Sequence, residues 1–362
     1  MKKYLTLCGI VVFIFATLSA CAPDLHERAL ISAVGIDRTE NGCRVTVRAA
    51  LADGNGTEIS LSGVGETVPQ ALNEIVRSTG QQPLYSHNTL IVFGMDCARN
   101  GLGADLDFFI RHYDSRPTIQ VFLSETTAED ILRVEGDADP RATQIAEITN
   151  GADYSGLSVD VNLIGLINGT YGEGASAVLP VLRRTEQIEP AGTALLRDFT
   201  LQKLLSPQDV QGLLILQGNL KAGQFVVEDP ACGAVTLAVN RTKSEIQFTG
   251  TEENPRFAVN VQIEGEISAI SSARYPIGNE AFPRLEKALA EQAVSAIEAY
   301  LSAAVYESGS DAAGFGAAVL RDAPEVWRSI CDNWALIQQN AVFDIQVESA
   351  IDRVEEENVP YF

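Results

Sequence analysis

Phe257-Ala258-Val259-Asn260-Val261-Gln262-Ile263-Glu264 alternates apolar and polar residues at period two. That pattern marks an antiparallel strand with one dry and one wet face. The period then changes. Over residues 279–306, Leu285, Leu289, Ile297, Tyr300 and Leu301 fall on one helical stripe, so the longest helix of the chain is predicted there. A second helix is predicted over 316–337, and Phe343, Ile345 and Val347 alternate as a closing strand. Strands set apart from long helices argue an α+β fold: mixed and antiparallel sheets packed with helices, the C-terminal domain carrying two long helices.

Upstream, strand and helix alternate. Residues 29–36 and 44–49 flank the turn at Asn41-Gly42 and read as a β-hairpin. Residues 53–65 read as a polar, glycine-rich loop. Val68, Ala71, Leu72, Ile75 and Val76 then share a helix face, with Thr67 as cap. Strands are predicted at 89–93 and 118–123 and a helix at 102–113. Thr126 with Glu129 forms a capping-box pattern opening the helix through Leu132. Helices at 140–152 and 158–168 precede a glycine-rich segment at 169–174 and a strand at 177–182. Polar residues 183–190 carry the main boundary. Beyond it come a strand at 193–199 and a helix that Ser206-Pro207 caps and starts, running to about Leu216.

Compartment is written at the start. Lys2 and Lys3 precede an apolar run over 4–17, and Leu18-Ser19-Ala20-Cys21 follows, the layout of a secretory signal. A spanning helix needs about 20 apolar residues, more than this run supplies. Leu-Ser-Ala-Cys resembles the lipobox of bacterial lipoproteins, in which the cysteine thiol receives a diacylglycerol and the chain is cut just before it. The expected organisation is therefore a signal peptide over 1–20, an N-terminal α/β region over 21–187, itself divisible again, and a C-terminal α+β domain over 188–362.

Apolar residues make up 46% of the 362 and charged residues 20%, a globular composition. The formal charge is −22, or −24 without Lys2 and Lys3. Such a chain is repelled by nucleic acid and by anionic headgroups, so nucleic acid is not an expected partner and lipid on Cys21 must provide membrane attachment. Cys43, Cys97, Cys232 and Cys331 remain after Cys8 and Cys21 are accounted for. Four cysteines allow three pairings, and their spacing selects none.

Chemistry is sparse. His26, His87 and His112 are the histidines, and neither Cys-x-x-Cys nor His-Glu-x-x-His occurs. Asp137 and Asp139 lack the glycine and glutamate of a calcium loop and read as turn chemistry. Ser86-His87 are neighbours on an expected strand, where side chains point to opposite faces, so they do not form a nucleophile and base. His112 with Asp114 reads as a solvated helix end. Gly101-Leu-Gly103 and Gly314-Phe-Gly316 begin a dinucleotide pattern and then fail. Trp327 and Trp334 lie two turns apart and read as packing. No catalytic residue, metal ligand or cofactor is assigned.

Several stretches in order resemble the Ger(x)C family, the C-subunit lipoproteins of spore germinant receptors. Asp311, Gly314-Phe315-Gly316, Pro324-Glu-Val-Trp327 and Trp334 before the last strand resemble its closing pattern. Gly35-Ile36-Asp37 after the lipobox, then Ser86-His87, Gly94, Ala98-Arg99, Gly101, Asp107-Phe108-Phe109 and Arg111, resemble its earlier segments. The likeness runs from about Cys21 to about Glu348. It departs where Leu25-His26-Glu27 stands in place of a tryptophan and Ala350-Ile351-Asp352 in place of a closing glycine.

The resemblance implies a non-enzymatic subunit on the outer face of the inner spore membrane, partnered by integral-membrane A and B subunits and folded as three mixed α/β domains. It leaves direct contact with a small-molecule germinant open. A solute-binding lipoprotein of an ABC importer is the alternative, expected to show two similar lobes around a cleft. An envelope hydrolase would need a nucleophile or metal that the sequence does not display.

Overall fold

The computed structural model describes residues 28–50, 57–111, 116–136, 139–149, 156–271 and 280–352. Strands β1 (Arg28–Thr39) and β2 (Gly42–Ala50) form the expected hairpin, paired from Leu30 opposite Ala50 to Thr39 opposite Gly42. A third strand, β3 (Glu58–Gly65), follows where a loop was predicted. Its glycines hid it. A Cβ on Gly63 would stand 2.2 Å from the Ala71 carbonyl oxygen, so the bare backbone is what lets helix α1 (Val68–Thr79) lie against the strand. α1 buries Val68, Ala71, Leu72 and Ile75 as its spacing predicts. Thr67 occupies its N-cap position, but the Thr67 side chain makes no capping bond there.

Strands β4 (Gln82–Leu84) and β5 (Leu90–Phe93) both run parallel to β1. Leu90, Ile91, Val92 and Phe93 are all buried, because helices cover both faces of a parallel sheet. The helical stretch after β5 is two pieces, α2 (Met95–Asn100) and α3 (Gly103–Arg111). β6 (Gln120–Ser124) pairs parallel with β5. Helix α4 (Ala128–Leu132) is capped by Thr127, whose side chain accepts the Asp130 N–H. Thr126, the predicted cap, instead donates its hydroxyl to the Asp130 carboxylate.

α5 (Ala142–Ala146) and α6 (Leu163–Tyr171) are shorter or later than predicted. β7 (Ala177–Arg184), β8 (Ile188–Arg197) and β9 (Thr200–Leu205) complete a nine-stranded sheet of order β3-β2-β1-β5-β6-β7-β8-β9, with β4 beside β1. That sheet thus continues past residue 187 into β8 and β9.

Helix α7 (Pro207–Leu216) has the predicted start: Ser206 and Asp209 form a reciprocal capping box with Pro207 in the first turn. A second, four-stranded sheet then forms from β10 (Gln224–Asp229), β11 (Gly233–Phe248), β12 (Arg256–Ile270) and β13 (Val342–Ile351). In β12, Phe257, Val259, Val261 and Ile263 face the core. β12 pairs antiparallel with β11 but parallel with β13, which makes the sheet mixed.

Helix α8 (Phe282–Tyr300) packs on the dry face through Leu285, Leu289, Ile297 and Tyr300 and continues into a π-turn over Leu301–Tyr306. The second helical stretch is segmented into α9 (Phe315–Asp322), α10 (Pro324–Ile330) and α11 (Trp334–Ile337). Pro324 has no N–H to continue α9, and its ring restrains Ala323, so it starts a new helix instead. One apolar core runs from Ile31 and Phe93 in the first sheet to Phe257 and Ile297 in the second layer.

Candidate functional site

Two clusters absorb the sequence motifs. At the end of β1, the buried Asp37 carboxylate accepts from the Ala128 N–H at 2.6 Å and the Glu129 N–H at 2.9 Å. It caps α4 from another strand, supplying the negative charge that a helix N-terminus favours. Gly94 faces this carboxylate so closely that a Cβ would lie 2.1 Å from Oδ1. Burial raises the Asp37 pKa, and the two backbone donors oppose the rise.

The other end of α4 is held by Arg48, one of the largest fully buried side chains of the chain. Its guanidinium donates to the carbonyls of Leu132 at 2.8 Å and Ile131 at 3.3 Å, to that of Pro140, and to the Glu58 carboxylate at 3.5 Å. A cation at the C-terminal carbonyls complements the same dipole. Burial lowers the Arg48 pKa and Glu58 works against that shift. Asp37 and Arg48 therefore clamp one five-residue helix from both ends.

The second cluster lies where the chain leaves the π-turn. Asp311 is 1% exposed, and its carboxylate accepts from the N–H groups of Gly314 (2.7 Å), Phe315 (2.9 Å) and Gly316 (2.6 Å) and from the Trp334 indole (3.1 Å). The Asp-x-x-Gly-Phe-Gly spacing is thus the start of α9 folded around a buried anion. Burial raises the Asp311 pKa, and the four donors act in the opposite direction.

This knot grips a distant loop. The Ser176 N–H donates to the Asp311 carbonyl at 2.7 Å, and the Asp311 N–H donates to the Ser176 hydroxyl at 2.9 Å. The Trp327 indole donates to Glu173 at 3.1 Å. Gly174, at φ 67°, sits against both tryptophans, and a Cβ there would lie 2.4 Å from the Trp327 ring. Trp327 and Trp334 belong to separate helices, not to one face of one helix, and still meet edge to face at 5.6 Å. Trp334, Phe315 and Phe343 all contact the Phe257 ring, which ties the knot to β12 and β13.

Beside the knot is an open cleft of about 520 Å³, with Ser158, Asp160, Asn162, Asn219 and Lys221 among the residues that line it. Of the sequence's candidates for chemistry, Ser86 and His87 lie in a 3₁₀ turn, not on a strand, and His87 is exposed. Asp139 takes the N–H groups of Glu135 and Gly136 and pairs with Arg184 at 3.1 Å, which is turn chemistry. Cys43, Cys97 and Cys232 are buried and Cys331 half-buried, all as free thiols. Burial pushes the Cys97 thiol up to about 12, far from a nucleophile's range.

Among the described residues no group of three or more His, Cys, Asp or Glu side chains could hold a metal ion. Among the same residues no helix is long and apolar enough to cross a membrane. Cys21, His26, His112, Asp114 and Asp137 lie outside the described residues.

Comparison with known proteins matches both halves. Residues 22–184 fit the family model described as the spore germination protein N-terminal domain, and residues 191–355 fit the one described as spore germination B3/GerAC like, C-terminal. Spore germination protein KC of Bacillus subtilis (strain 168) is 23% identical over 355 residues, covering 86% of this chain and 85% of that protein. Spore germination protein A3 of the same organism is 19% identical, covering 69% and 70%. The crystal structure of the GerBC protein superposes with a TM-score of 0.60 at 15% identity, over 91% of this chain and all of that one, which establishes a shared fold.

Proposed function

The chain belongs to the GerAC-type family of spore germination proteins, and from that membership we propose that it acts as the lipid-anchored C subunit of a nutrient germinant receptor. The observation that carries this reading is the tandem match over 22–184 and 191–355, which opens one residue after Cys21. On this reading residues 1–20 leave as a signal peptide, and acyl chains on the Cys21 thiol hold the protein to the outer face of the inner spore membrane. Each buried CH₂ contributes roughly 0.8 kcal/mol, so two chains give a stable anchor. The remainder is proposed as two units of sequence, 21–187 and 188–362, the second lending β8 and β9 to the first sheet.

The role is non-enzymatic. The motif residues are occupied in holding the fold: Asp37 and Arg48 clamp α4, and Asp311 with Trp327 and Trp334 grips the 173–176 loop. What the protein supplies is a rigid body confined beside the integral-membrane A and B subunits. Confinement raises the effective concentration of its surfaces, so modest interfaces suffice for assembly.

Cys21→Ala tests the anchor. In cells expressing the full chain, the unaltered protein should sediment with membranes and take up a fatty-acid label, and the variant should appear unlabelled in the soluble fraction. A variant that stays with membranes removes the anchor from the account.

A further inference from the structure

We infer that the end of the first sheet at which β1 begins lies against the phospholipid headgroup layer and that the acidic opposite end points away from the bilayer. This rests on the anchor proposed above and adds an orientation to it. Seven residue steps separate Cys21 from Arg28, a reach of at most about 25 Å fully extended. β1 itself is twelve residues long, about 40 Å. The tether therefore delivers the start of β1, and not its far end, to the membrane surface.

The topology gathers a distinct set of residues at that start. β4, β5 and β6 run parallel to their neighbours in the sheet, so Gln82 sits beside Arg28, and the turn before β6 lies on the same side. α1 and α3 run back along the sheet and finish there, which brings Arg77, Ile110 and Arg111 to this end. The Ile164 N–H donates to the Pro117 carbonyl, which holds the start of α6 beside Arg116 and Pro117.

Ile110 is 52% and Ile164 47% exposed, large apolar side chains in water. Among the described residues Arg77 and Arg111 pair only with Glu74 and Asp107 on their own helices, and Arg116 has no ion-pair partner. The opposite end carries exposed Glu40, Glu66, Asp96 and Glu125. Its arginines are matched by acids, Arg99 by Asp96, Arg183 by Glu125, Arg44 by Glu129 and Arg38 by Asp105, which leaves Glu40 and Glu66 in excess.

In a chain of net charge −22, this distribution has a physical consequence. Anionic headgroups act over about one Debye length, roughly 8 Å at physiological salt. Standing the sheet on its arginine-bearing end keeps the acidic end several such lengths away. It also lets Ile110 and Ile164 reach the headgroup and acyl boundary, where apolar side chains are favoured.

The test places a photoreactive phenylalanine analogue singly at Ile164, Ile110, Glu40 or Glu125 of the full chain. All four are exposed positions whose replacement leaves the core intact. After irradiation of isolated membranes, phospholipid adducts should form at 164 and 110 and be lost at 40 and 125. Adducts chiefly at 40 or 125, equal adducts at all four, or none anywhere, in a protein that still sediments with membranes, would overturn the orientation and leave the anchor standing. A protein found in the soluble fraction would overturn the anchor and the orientation together.

Discussion

Asp311→Ala should lower stability by about 4 kcal/mol, an effect large enough to shift the thermal midpoint by roughly 6 °C. The side chain is buried and satisfies three backbone N–H groups and the Trp334 indole at once. Truncation leaves those donors facing one another without an acceptor, and each buried orphan costs about 1–3 kcal/mol before relaxation and water entry offset part of it. The start of α9 then loses its anion, and with it the geometry that presents the Asp311 backbone to Ser176. The check is urea unfolding followed by tryptophan fluorescence. Trp327 and Trp334 are the two tryptophans of the chain, so the signal reports this knot. A loss below about 1 kcal/mol would show that the amides find other partners and that the knot is not what joins the 173–176 loop to α9.

Arg48→Leu should cost about 3 kcal/mol, in the range for removing one member of a buried ion pair. Leucine fills much of the space but leaves the Leu132 and Pro140 carbonyls without their donor, the Ile131 carbonyl with Arg184 alone, and the Glu58 carboxylate, 12% exposed, without its cation. Glu58 also accepts the Ala142 N–H at 3.0 Å, so the damage should spread to the start of α5. Hydrogen exchange locates it. Faster exchange confined to residues 128–146, at unchanged protection of β11 and β12, is the expected pattern, and uniform protection throughout would contradict the clamp.

Local rules carried much of this fold. The Ser206 cap with Pro207 in the first turn, the α1 face and the β12 alternation were legible because each is settled by neighbours a few residues away. β3 was not, since Gly63 and Gly65 look like loop glycines until α1 is seen lying against them. Arg48 stands in an alternating strand where a polar residue suggests a wet face, and only the placement of α4 over that face makes it buried. The Asp311 pattern was visible as a motif, yet its partner lies 135 residues upstream, a separation that no periodicity reports. Trp327 and Trp334 read as one helix face because nothing in Cys331-Asp332-Asn333 announces the 3₁₀ turn that separates α10 from α11.

The motif-bearing side chains, brought together, build internal clamps, as the proposed role of a subunit that holds a shape beside its partners requires. The most direct measurement of that task is dipicolinic acid release from spores lacking this chain, challenged with separate amino acids and sugars and with a non-nutrient trigger. A germinant-receptor subunit predicts loss of the response to one nutrient class, restored by the unaltered gene and not by the Cys21→Ala form, with the non-nutrient response intact. Full release to every nutrient, in a strain with no second protein of this family, would contradict it.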